Sequence, residues 1–554
     1  MNQGFYHLLW VDENIPSPQE KGDREAVEEV LHGGGGARPR RRQTVREEEQ
    51  NMKTLGQLAA LVEGAHIDGG SEQIEITGIE HDSRKVRPGT LFVAIPGVHV
   101  DGAKFIPQAV QQGALAVLAA EGHELAAPAG VAVLRVPELN AALDAIVPYF
   151  HDYPARSLRV IGITGTNGKT TTSYLVRAIL RHAGYKVGLI GTIQIMIEDE
   201  VLPIHNTTPD VVELQNTLAR MRDAGMDYVV MEVSSHALDQ NRVAGIEFDT
   251  AVFTNLTQDH LDYHKTLENY MRAKARLFDH VSEAGVKQGK TAVVNIDDAA
   301  GACMLAHAKC DHLTYAIDAP QATLRAEDID VRADGACFTL VHPALGRMEL
   351  SLHITGIFNV YNVMSAVGAA LAEHIAPADI RAALEAFTAV PGRFELVKAG
   401  QDFTVIVDYA HTPDGVENVL RTARKIAKRR IIAVFGCGGD RDRTKRPIMG
   451  RLAGELADVV IATSDNPRSE DPAAILDEVE AGVEETVGSK PHEKIVDRHT
   501  AIFRAVELAE KDDIVVILGK GHENYQILRD KTIHFDDKEQ ARAAIAAKLQ
   551  KGEA

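Results

Sequence analysis

Residues 159–180 read RVIGITGTNGKTTTSYLVRAIL, which is an apolar run, a glycine-rich turn and an amphipathic segment in succession. The apolar run predicts a buried strand, and Leu175, Ile179 and Leu180 recur after the turn at the spacing of one helix face. Another apolar run, KVGLIGT, follows. The order predicts a strand–helix–strand unit and therefore a parallel sheet covered by helices.

The turn GTNGKT, residues 165–170, has the composition of a phosphate-binding loop. Glycines let the backbone wrap closely around phosphate, a lysine can meet terminal phosphates, and a threonine can hold magnesium. The strict pattern places glycine where Ile163 stands, so this is a variant with Gly162 and Gly165. The strand and helix on either side favour a nucleotide site over a plain turn, with ATP as the ligand. We expect ATP to contact Gly165, Thr166, Asn167, Gly168, Lys169, Thr170 and Thr171.

Polar residues follow the next strands of the predicted sheet. Glu232 and His236 lie in MEVSSHALDQNR, and His260 lies in NLTQDHLDYH. Their oxygen and nitrogen atoms suit magnesium beside phosphate. Taken alone, a histidine is more often structural, and Lys274 in NYMRAKARLF has the pattern of a solvated helix lysine.

Three domains are predicted from the distribution of apolar runs. Residues 52–154 contain short runs with turn signals, residues 155–390 contain the glycine-rich loop, and residues 391–554 begin a new series. That series comprises FTVIVDYA, IIAVFGCGG, DVVIATSD and DIVVILGKGH. Ligands of such sheets gather beyond the carboxyl ends of the strands, where DYAHTP, GCGGDRD, SDNPR and GKGHE all fall.

The first 51 residues differ in composition from the remainder and include HGGGGARPRRRQTVREEEQN. Two interpretations stay open: upstream sequence included by an early start codon, and a disordered tail. From Met52, MKTLGQLAALVEGA predicts the beginning of an amphipathic helix.

Composition narrows the classes of partner. A formal net charge of -20 argues against a broad nucleic-acid surface, although local basic pockets can still bind anions. No uncharged apolar run reaches the length that crosses a bilayer, so we expect no membrane insertion. Four cysteines without paired spacing fit a reducing cytoplasm.

The segment TSDNPRSEDP, residues 463–472, has two interpretations. Asn-Pro is a common turn, and this alone explains the residues after the strand. The alternative is that the turn presents Arg468 at the mouth of a binding site.

The order of motifs from residue 52 onward resembles that of the Mur ligases. They are HDSR, GTNGKTTT, HNTTPD, MEVSSHALDQNR, FTNLTQDHLDYH, YMRAKA, GIFNVYN, PGRFE, VDYAHTPD, FGCGGDRDRTKRP, DNPR and GKGHE. The resemblance implies an α/β fold of three domains with mostly parallel sheets, a central P-loop domain and a Rossmann-like C-terminal domain. It also implies an ATP-dependent amide ligase that works through an acyl phosphate in peptidoglycan precursor synthesis, and we expect a monomer.

The resemblance also implies roles for individual residues. Catalytic roles fall to Lys169, Lys274, His260 and Glu232, and the magnesium ligands are Thr170, Glu232, His260 and Lys274, the last as a carbamate formed with carbon dioxide. ATP contacts beyond the loop are Asn359, Arg393 and Asp408. Contacts with UDP-N-acetylmuramoyl-L-alanyl-D-glutamate are His81, Ser83, Val98, His99, Val100, Asn206, Thr207, Thr208, Ser234, Gln240 and Arg242.

The identity of the added amine depends on DNPR. Family members add meso-diaminopimelate or lysine, and diaminopimelate has an additional carboxylate that a guanidinium can bind through two hydrogen bonds. In the family that the chain resembles, arginine at this place marks the diaminopimelate-adding type, whereas lysine-adding members usually lack it. The implied contacts are Arg441, Asp465, Asn466, Pro467, Arg468, Gly519 and Glu523. The alternatives are a lysine-adding ligase, a folate-polyglutamate ligase, and a nucleotide-binding protein without turnover.

Overall fold

The strand predicted at the start of residues 159–180 is the fifth of eleven in a sheet of the computed structural model. The structure describes residues 52–552 apart from 97–100, 126–127, 129, 205 and 333–334. The described chain divides into two compact units, and the boundary along the chain falls between Asp152 and Tyr153. The predicted boundaries of the three domains stay predictions.

The first unit contains a five-stranded sheet, parallel except at one edge. In spatial order its strands are His66–Asp68, Ala132–Val136, Ala116–Ala120, Thr90–Val93 and Gly78–Glu80. Its helices are Leu55–Ala59, Ile106–Gln111 and Leu139–Phe150. The amphipathic helix predicted from Met52 is therefore only five residues long, and Thr54 caps it after a strand of two residues.

The eleven-stranded sheet of the second unit is parallel in its middle and antiparallel at both ends. In spatial order its strands are Glu200–Leu202, Ile195–Ile197, Val187–Ile190, Tyr228–Glu232, Arg159–Thr164, Thr250–Phe253, Thr291–Asn295, Asp311–Ala316, Leu324–Arg332, Gly335–His342 and Gly346–Leu352. Its helices are Lys169–His182, Val211–Asp223, Ser235–Asp239, Leu261–His264, Leu267–Ser282, Gly301–His307, Ile357–Ala372 and Pro377–Ala386.

Side chains alternate between two apolar cores on the faces of this sheet. Ile161 and Ile163 join the core beneath the helix Lys169–His182, whereas Val160 joins the core on the other face. Gly162 lies in the strand, where an added Cβ would come within 2.7 Å of the Phe248 ring. Packing against Phe248 therefore explains why position 162, which precedes the glycine-rich turn, is a glycine.

A six-stranded sheet, parallel except at one edge, occupies the C-terminal part of the second unit. In spatial order its strands are Glu395–Leu396, Thr404–Asp408, Ile514–Leu518, Ile431–Phe435, Val459–Thr463 and His492–Ile495. Its helices are Pro413–Ile426, Lys445–Leu456, Pro472–Thr486, Arg498–Leu508 and Asp537–Gly552, and a hairpin joins Tyr525–Ile527 to Thr532–His534. The predicted α/β fold with mostly parallel sheets is confirmed.

Among the described residues, no helix combines the length and the apolar character needed to span a bilayer. All four cysteines are free thiols.

Candidate active site

The glycine-rich turn has a backbone that only glycine tolerates at two positions. Gly165 has a φ of 148°, and a Cβ there would lie 1.9 Å from Thr254 Oγ1. Gly168 has a φ of 85°, and a Cβ would lie 2.2 Å from Asn362 Oδ1. The turn is thus pressed against neighbouring side chains, and it leads directly into the helix that begins at Lys169.

Lys169 and Thr170 lie at the amino end of that helix, where unpaired N–H groups favour anions. Lys169 Nζ donates to the carbonyl oxygens of Gly165 at 2.9 Å and Thr166 at 2.8 Å. Burial lowers the pKa of Lys169, and the charge of Glu232 opposes that effect. The ammonium is therefore held across the opening of the turn, within reach of a phosphate that enters it.

Glu232 is a fully buried carboxylate at the end of the neighbouring strand. It accepts hydrogen bonds from Thr170 Oγ1 at 3.0 Å, from Thr192 N at 2.9 Å and from Thr192 Oγ1 at 2.9 Å. All three donors are uncharged. Burying a carboxylate is costly unless a cation accompanies it, so this oxygen-rich corner is suited to a metal ion.

A cavity of about 560 Å³ extends from the turn to the six-stranded domain. The central domain contributes Thr166–Thr171 together with Glu232, Asp259 and Asn362, and the six-stranded domain contributes Arg393 and residues 408–412. Arg393 Nη2 donates to Thr170 Oγ1 at 3.2 Å. The volume is in the range of small-molecule sites, and both domains are needed to form it.

Two residues that were predicted to contact ATP differ in whether they line this cavity. Asp408 lines it, and accepts hydrogen bonds from the backbone N–H groups of Phe394 at 2.6 Å and Ala410 at 2.7 Å. Burial raises the pKa of Asp408. Asn359 is buried behind the lining residue Asn362, whose Nδ2 donates to Asn359 Oδ1 at 3.0 Å.

Of the four predicted metal ligands, Thr170, Glu232 and His260 line the same cavity, whereas Lys274 contacts the turn at Gly165 and is not among the residues that line it. Thr170 and Glu232 are hydrogen-bonded, and His260 lines the same cavity with 47% of its side chain exposed. His236 packs with its ring 4.8 Å from that of His260. Within the described ranges, the one group of three histidine or acidic side chains close enough to share an ion is Glu480, Glu484 and His492, away from this cavity.

Lys274 is 1% exposed, so the interpretation of a solvated helix lysine is wrong. Its Nζ donates to the carbonyl oxygen of Gly165 at 2.7 Å and lies 4.3 Å from the centre of the Tyr270 ring. Burial and the nearby positive charge of Lys169 lower its pKa well below the ordinary value. Lys274 therefore lies directly behind the phosphate-binding turn, with an amine that readily loses its proton.

The residues predicted to contact the UDP substrate fall in both units. In the first unit, His81 follows the strand Gly78–Glu80, and buried Ser83 donates to Gln108 Oε1 at 2.9 Å. Val98, His99 and Val100 lie outside the described residues.

In the second unit, the other predicted contacts form a polar cluster beside Glu232. Thr208 Oγ1 donates to the carbonyl oxygen of Glu232 at 2.9 Å and accepts from Ser234 N at 3.0 Å. Arg242 donates to the Thr208 carbonyl oxygen at 3.0 Å and to Gln240 Oε1 at 2.9 Å. Thr207 lines the cavity, and Asn206 precedes it on an exposed loop.

The predicted amino-acid contacts converge at the carboxyl ends of the strands Val459–Thr463 and Ile514–Leu518. Arg468 has a φ of 52°, which is rare for a residue with a side chain, and its Nη1 donates to the Gly439 carbonyl oxygen at 2.8 Å. A Cβ on Gly438 would meet Arg468 Nη1 at 2.9 Å and Arg441 Cγ at 3.8 Å. Two arginines therefore flank Gly438. Pro467 lies between Asn466 and Arg468 in the chain.

Two carboxylates, those of Asp465 and Glu523, belong to the same group of residues, which we call the amino-acid pocket. Asp465 is buried, and its Oδ1 accepts no hydrogen bond from the described residues. Glu523 Oε2 accepts from Asn466 Nδ2 at 2.9 Å. Gly519 has a φ of 115°, and its Cβ position lies 3.3 Å from Asp465 Oδ2, so a side chain there would crowd the carboxylate.

Four residues of these sites were not identified from the sequence. Thr192 donates a hydrogen bond to Glu232, and the ring of Tyr270 lies beside Lys274. Asp414 accepts a hydrogen bond from Asn167 in the phosphate-binding turn, and Lys520 lies between Asp465 and Glu523. Tyr270 precedes Lys274 by four residues on one helix, a spacing that places both on the same face, and so it offered a usable signal. Thr192 and Asp414 depend on long-range contacts, and Lys520 joins its local partner Glu523 to the distant residue Asp465.

The cavity beside the phosphate-binding turn is completed by a second α/β domain. This arrangement is typical of a class of nucleotide-dependent enzymes that are built from two such domains. Comparison with known proteins makes the assignment specific. Three family models match: "Mur ligase family, catalytic domain" over residues 75–154, "Mur ligase middle domain" over 163–370, and "Mur ligase, glutamate ligase domain" over 392–521. The chain belongs to the Mur ligase family, as its motifs predicted.

Two similar proteins and one solved structure carry the same name. The UDP-N-acetylmuramoyl-L-alanyl-D-glutamate–2,6-diaminopimelate ligase of Bacillus cereus is 47% identical over 87% of this chain and 96% of its own length. The ligase of that name from Bacillus licheniformis is 48% identical over 89% and 99%. A solved structure with this name has a TM-score of 0.62 and 34% identity, and the match covers 90% of this chain and 99% of that one.

Proposed function

We propose that the chain joins meso-diaminopimelate to the γ-carboxylate of D-glutamate in UDP-N-acetylmuramoyl-L-alanyl-D-glutamate, with ATP as the energy source. Both Bacillus relatives are named as UDP-N-acetylmuramoyl-L-alanyl-D-glutamate–2,6-diaminopimelate ligases. The observation that carries the proposal is the adjacency of two sites. Tyr409 lines the cavity of the phosphate-binding turn, and its ring lies 4.9 Å from His522, the residue before Glu523 in the amino-acid pocket.

The chemistry requires both sites because a carboxylate is a poor electrophile in water. Transfer of the γ-phosphoryl group of ATP to the carboxylate gives an acyl phosphate and ADP. The amine then attacks the carbonyl carbon, the amide bond forms, and phosphate leaves. Lys169 and Arg393 are the cations that face this phosphoryl group from the two domains, and stabilisation of its charge accounts for much of such catalysis.

Magnesium is the proposed metal cofactor, with Thr170, Glu232 and His260 as candidate ligands or supports. The fit is chemical, because the buried carboxylate of Glu232 and the hydroxyl of Thr170 are hard oxygen donors with no cation hydrogen-bonded to Glu232 among its described partners. When bound, magnesium neutralises phosphate charge during transfer.

A carbamate on Lys274 is part of the same proposal. The ammonium first loses a proton, the neutral amine attacks carbon dioxide, a C–N bond forms and a second proton leaves, so a cation becomes an anion. Low basicity in the buried position favours the unprotonated amine. Carbon-13 NMR of protein equilibrated with labelled bicarbonate tests the modification without any assay of activity: a carbamate resonance that is absent from Lys274→Ala supports it, and identical spectra contradict it.

The proposed amine is diaminopimelate rather than lysine because Arg441 and Arg468 offer cations to its additional carboxylate. Asp465 and Glu523 offer oxygens to the adjacent ammonium. A lysine side chain has only the ammonium. The proposal takes the enzyme to be a monomer that works in the cytoplasm, where ATP and nucleotide-linked sugars are available.

Phosphate release tests the ligase proposal against a nucleotide-binding protein without turnover. We expect phosphate from ATP only when both UDP-N-acetylmuramoyl-L-alanyl-D-glutamate and diaminopimelate are present. Phosphate release in the absence of either of these two substrates contradicts the proposal. So does a lack of phosphate release when ATP and both substrates are present.

A further inference from the structure

Lys520 lies inside the amino-acid pocket, and its side chain is completely buried. Its Nζ donates to Asn466 Oδ1 at 3.1 Å and to Glu523 Oε2 at 3.1 Å, and lies 3.7 Å from Asp465 Oδ1. One ammonium therefore contacts three residues that are proposed to hold the incoming amino acid.

The backbone on both sides of Lys520 turns tightly, and this turn directs the lysine side chain inward. Gly519 and Gly521 on either side have φ values of 115° and 52°. A Cβ on Gly521 would lie 2.7 Å from both the Gly392 carbonyl oxygen and Tyr409 Cβ. Glycine on both sides thus lets the chain turn tightly after the strand Ile514–Leu518 while the lysine enters the pocket.

Charge explains what the ammonium contributes. Without it, Asp465 and Glu523 would be two carboxylates that repel each other in a buried site. With it, the negative charge of the two carboxylates is partly neutralised, so they attract a lone ammonium less strongly. A zwitterionic amino-acid head also brings a carboxylate for the guanidinium groups of Arg441 and Arg468.

We propose that Lys520 is a positioning residue that determines amine specificity: it fixes Asp465, Asn466 and Glu523 as a preformed receptor for an ammonium–carboxylate head and disfavours the bare ammonium of lysine. The inference rests on the proposed ligase function. Lys520 acts through its neighbours, since its own hydrogen-bonding capacity is directed at protein oxygens.

The ionisation of Glu523 gives a specific readout. Burial raises the pKa of Glu523, and the charge of Lys520 opposes that rise. Other groups that interact with Glu523 or adjoin it are Asp465, Asn466, Tyr409, Tyr525, Arg441, Arg468, His522 and the buried Arg498–Asp537 pair. Removing Lys520 raises the pKa of Glu523 further, so binding of an ammonium is lost at a higher pH than in the wild type.

The experiment compares wild type, Lys520→Met and the surface control Lys494→Met, which loses a lysine paired with Asp477 and Glu480 in the same domain. Diaminopimelate and lysine compete for one pool of UDP-N-acetylmuramoyl-L-alanyl-D-glutamate from pH 6 to 9, and both products are quantified. For Lys520→Met we expect the KM for diaminopimelate to rise at least tenfold and the KM for ATP to change less than twofold. The preference for diaminopimelate over lysine should fall at least tenfold, and the acid limb of kcat/KM should move to higher pH.

Equal losses with both amines and an unmoved acid limb would show that Lys520 is only structural. If Lys520→Met does not fold, the double variant Lys520→Met/Glu523→Gln removes the repulsion, and a wild-type preference in that variant overturns the inference. Absence of any diaminopimelate product from the wild type instead contradicts the proposed function, so the two failures are distinguishable.

Discussion

Asn167 Nδ2 in the phosphate-binding turn donates to Asp414 Oδ2 at 2.5 Å, although 247 residues separate them in the chain. Thr257 Oγ1 donates to the same carboxylate oxygen at 3.0 Å. Asp414 lies in the first turn of the helix Pro413–Ile426 of the six-stranded domain. One carboxylate thus links the two domains at the edge of the nucleotide cavity.

Loss of this link should weaken ATP binding. For Asp414→Ala we expect the KM for ATP to rise about tenfold, because hydrogen bonds to a charged acceptor are worth about 1.5 to 3 kcal/mol. The KM for diaminopimelate should change much less. Steady-state kinetics with each substrate varied in turn provides the measurement. Glu417→Ala, on the same helix but paired with Arg421 at the surface, is the matched control, and similar effects of both variants would contradict the link.

Arg468 should matter for the amino acid more than for the other substrates. Arg468→Ala removes a guanidinium that can form two hydrogen bonds with a carboxylate, so we expect the KM for diaminopimelate to rise about ten- to a hundredfold or more. Effects on ATP and the UDP substrate should be smaller. Arg443→Ala removes an exposed arginine of the same domain that pairs with Glu478 and serves as the control. Equal effects on all three substrates would indicate a structural role for Arg468.

Lys274 should be indispensable because its amine lies directly behind the turn that holds the phosphates. Lys274→Ala should abolish product formation, and high bicarbonate should not restore it because no amine remains to react. The control Arg272→Ala alters an exposed residue of the same helix that pairs with Glu268. Near-normal turnover of Lys274→Ala refutes the proposed role.

His522 should make the protein less stable in mild acid. Burial and the positive charges of Arg393 and Lys538 lower the pKa of His522 to about 3. An unfolded histidine titrates near 6.5, so between these values the unfolded chain binds a proton that the folded chain does not, and stability falls as pH falls. This single group accounts for about 1 to 2 kcal/mol of unfolding free energy between pH 7 and pH 5.

Urea denaturation at pH 7 and pH 5 measures that contribution. His522→Phe keeps an aromatic ring against Tyr409 and should lose less stability on acidification than the wild type does. The neighbour Glu539 raises the pKa of exposed His534, so His534→Gln should not reduce the acid loss. An acid loss in His522→Phe equal to that of the wild type contradicts the prediction.

The sequence predicts those parallel strands that are apolar runs buried on both faces, such as Val459–Thr463 and Ile514–Leu518. The parallel strand His492–Ile495 is polar and partly exposed, and it was not predicted. The antiparallel strands from Leu324 to Leu352 were not predicted. Their side chains alternate between core and solvent, as in Leu324–Arg332, and so they form no continuous apolar run.

In the site, too, the features that neighbouring residues specify were predicted, and those that depend on distant segments were not. The turn that contains Lys169 and the bend that contains Arg468 are specified by neighbouring residues, and both were identified. The burial of Lys274, the contact of Asp414 with Asn167 and the position of Lys520 arise only when distant segments pack together. A single lysine or aspartate has no local pattern that reveals such a partner.

The central claim is that this Mur ligase adds diaminopimelate. Its most direct test supplies UDP-N-acetylmuramoyl-L-alanyl-D-glutamate and ATP with diaminopimelate and lysine in parallel, and quantifies the two products. We predict that the diaminopimelate product predominates and forms together with stoichiometric ADP. Preferential formation of the lysine product would contradict the specificity that we assign to Arg468, and absence of both products would contradict the ligase function.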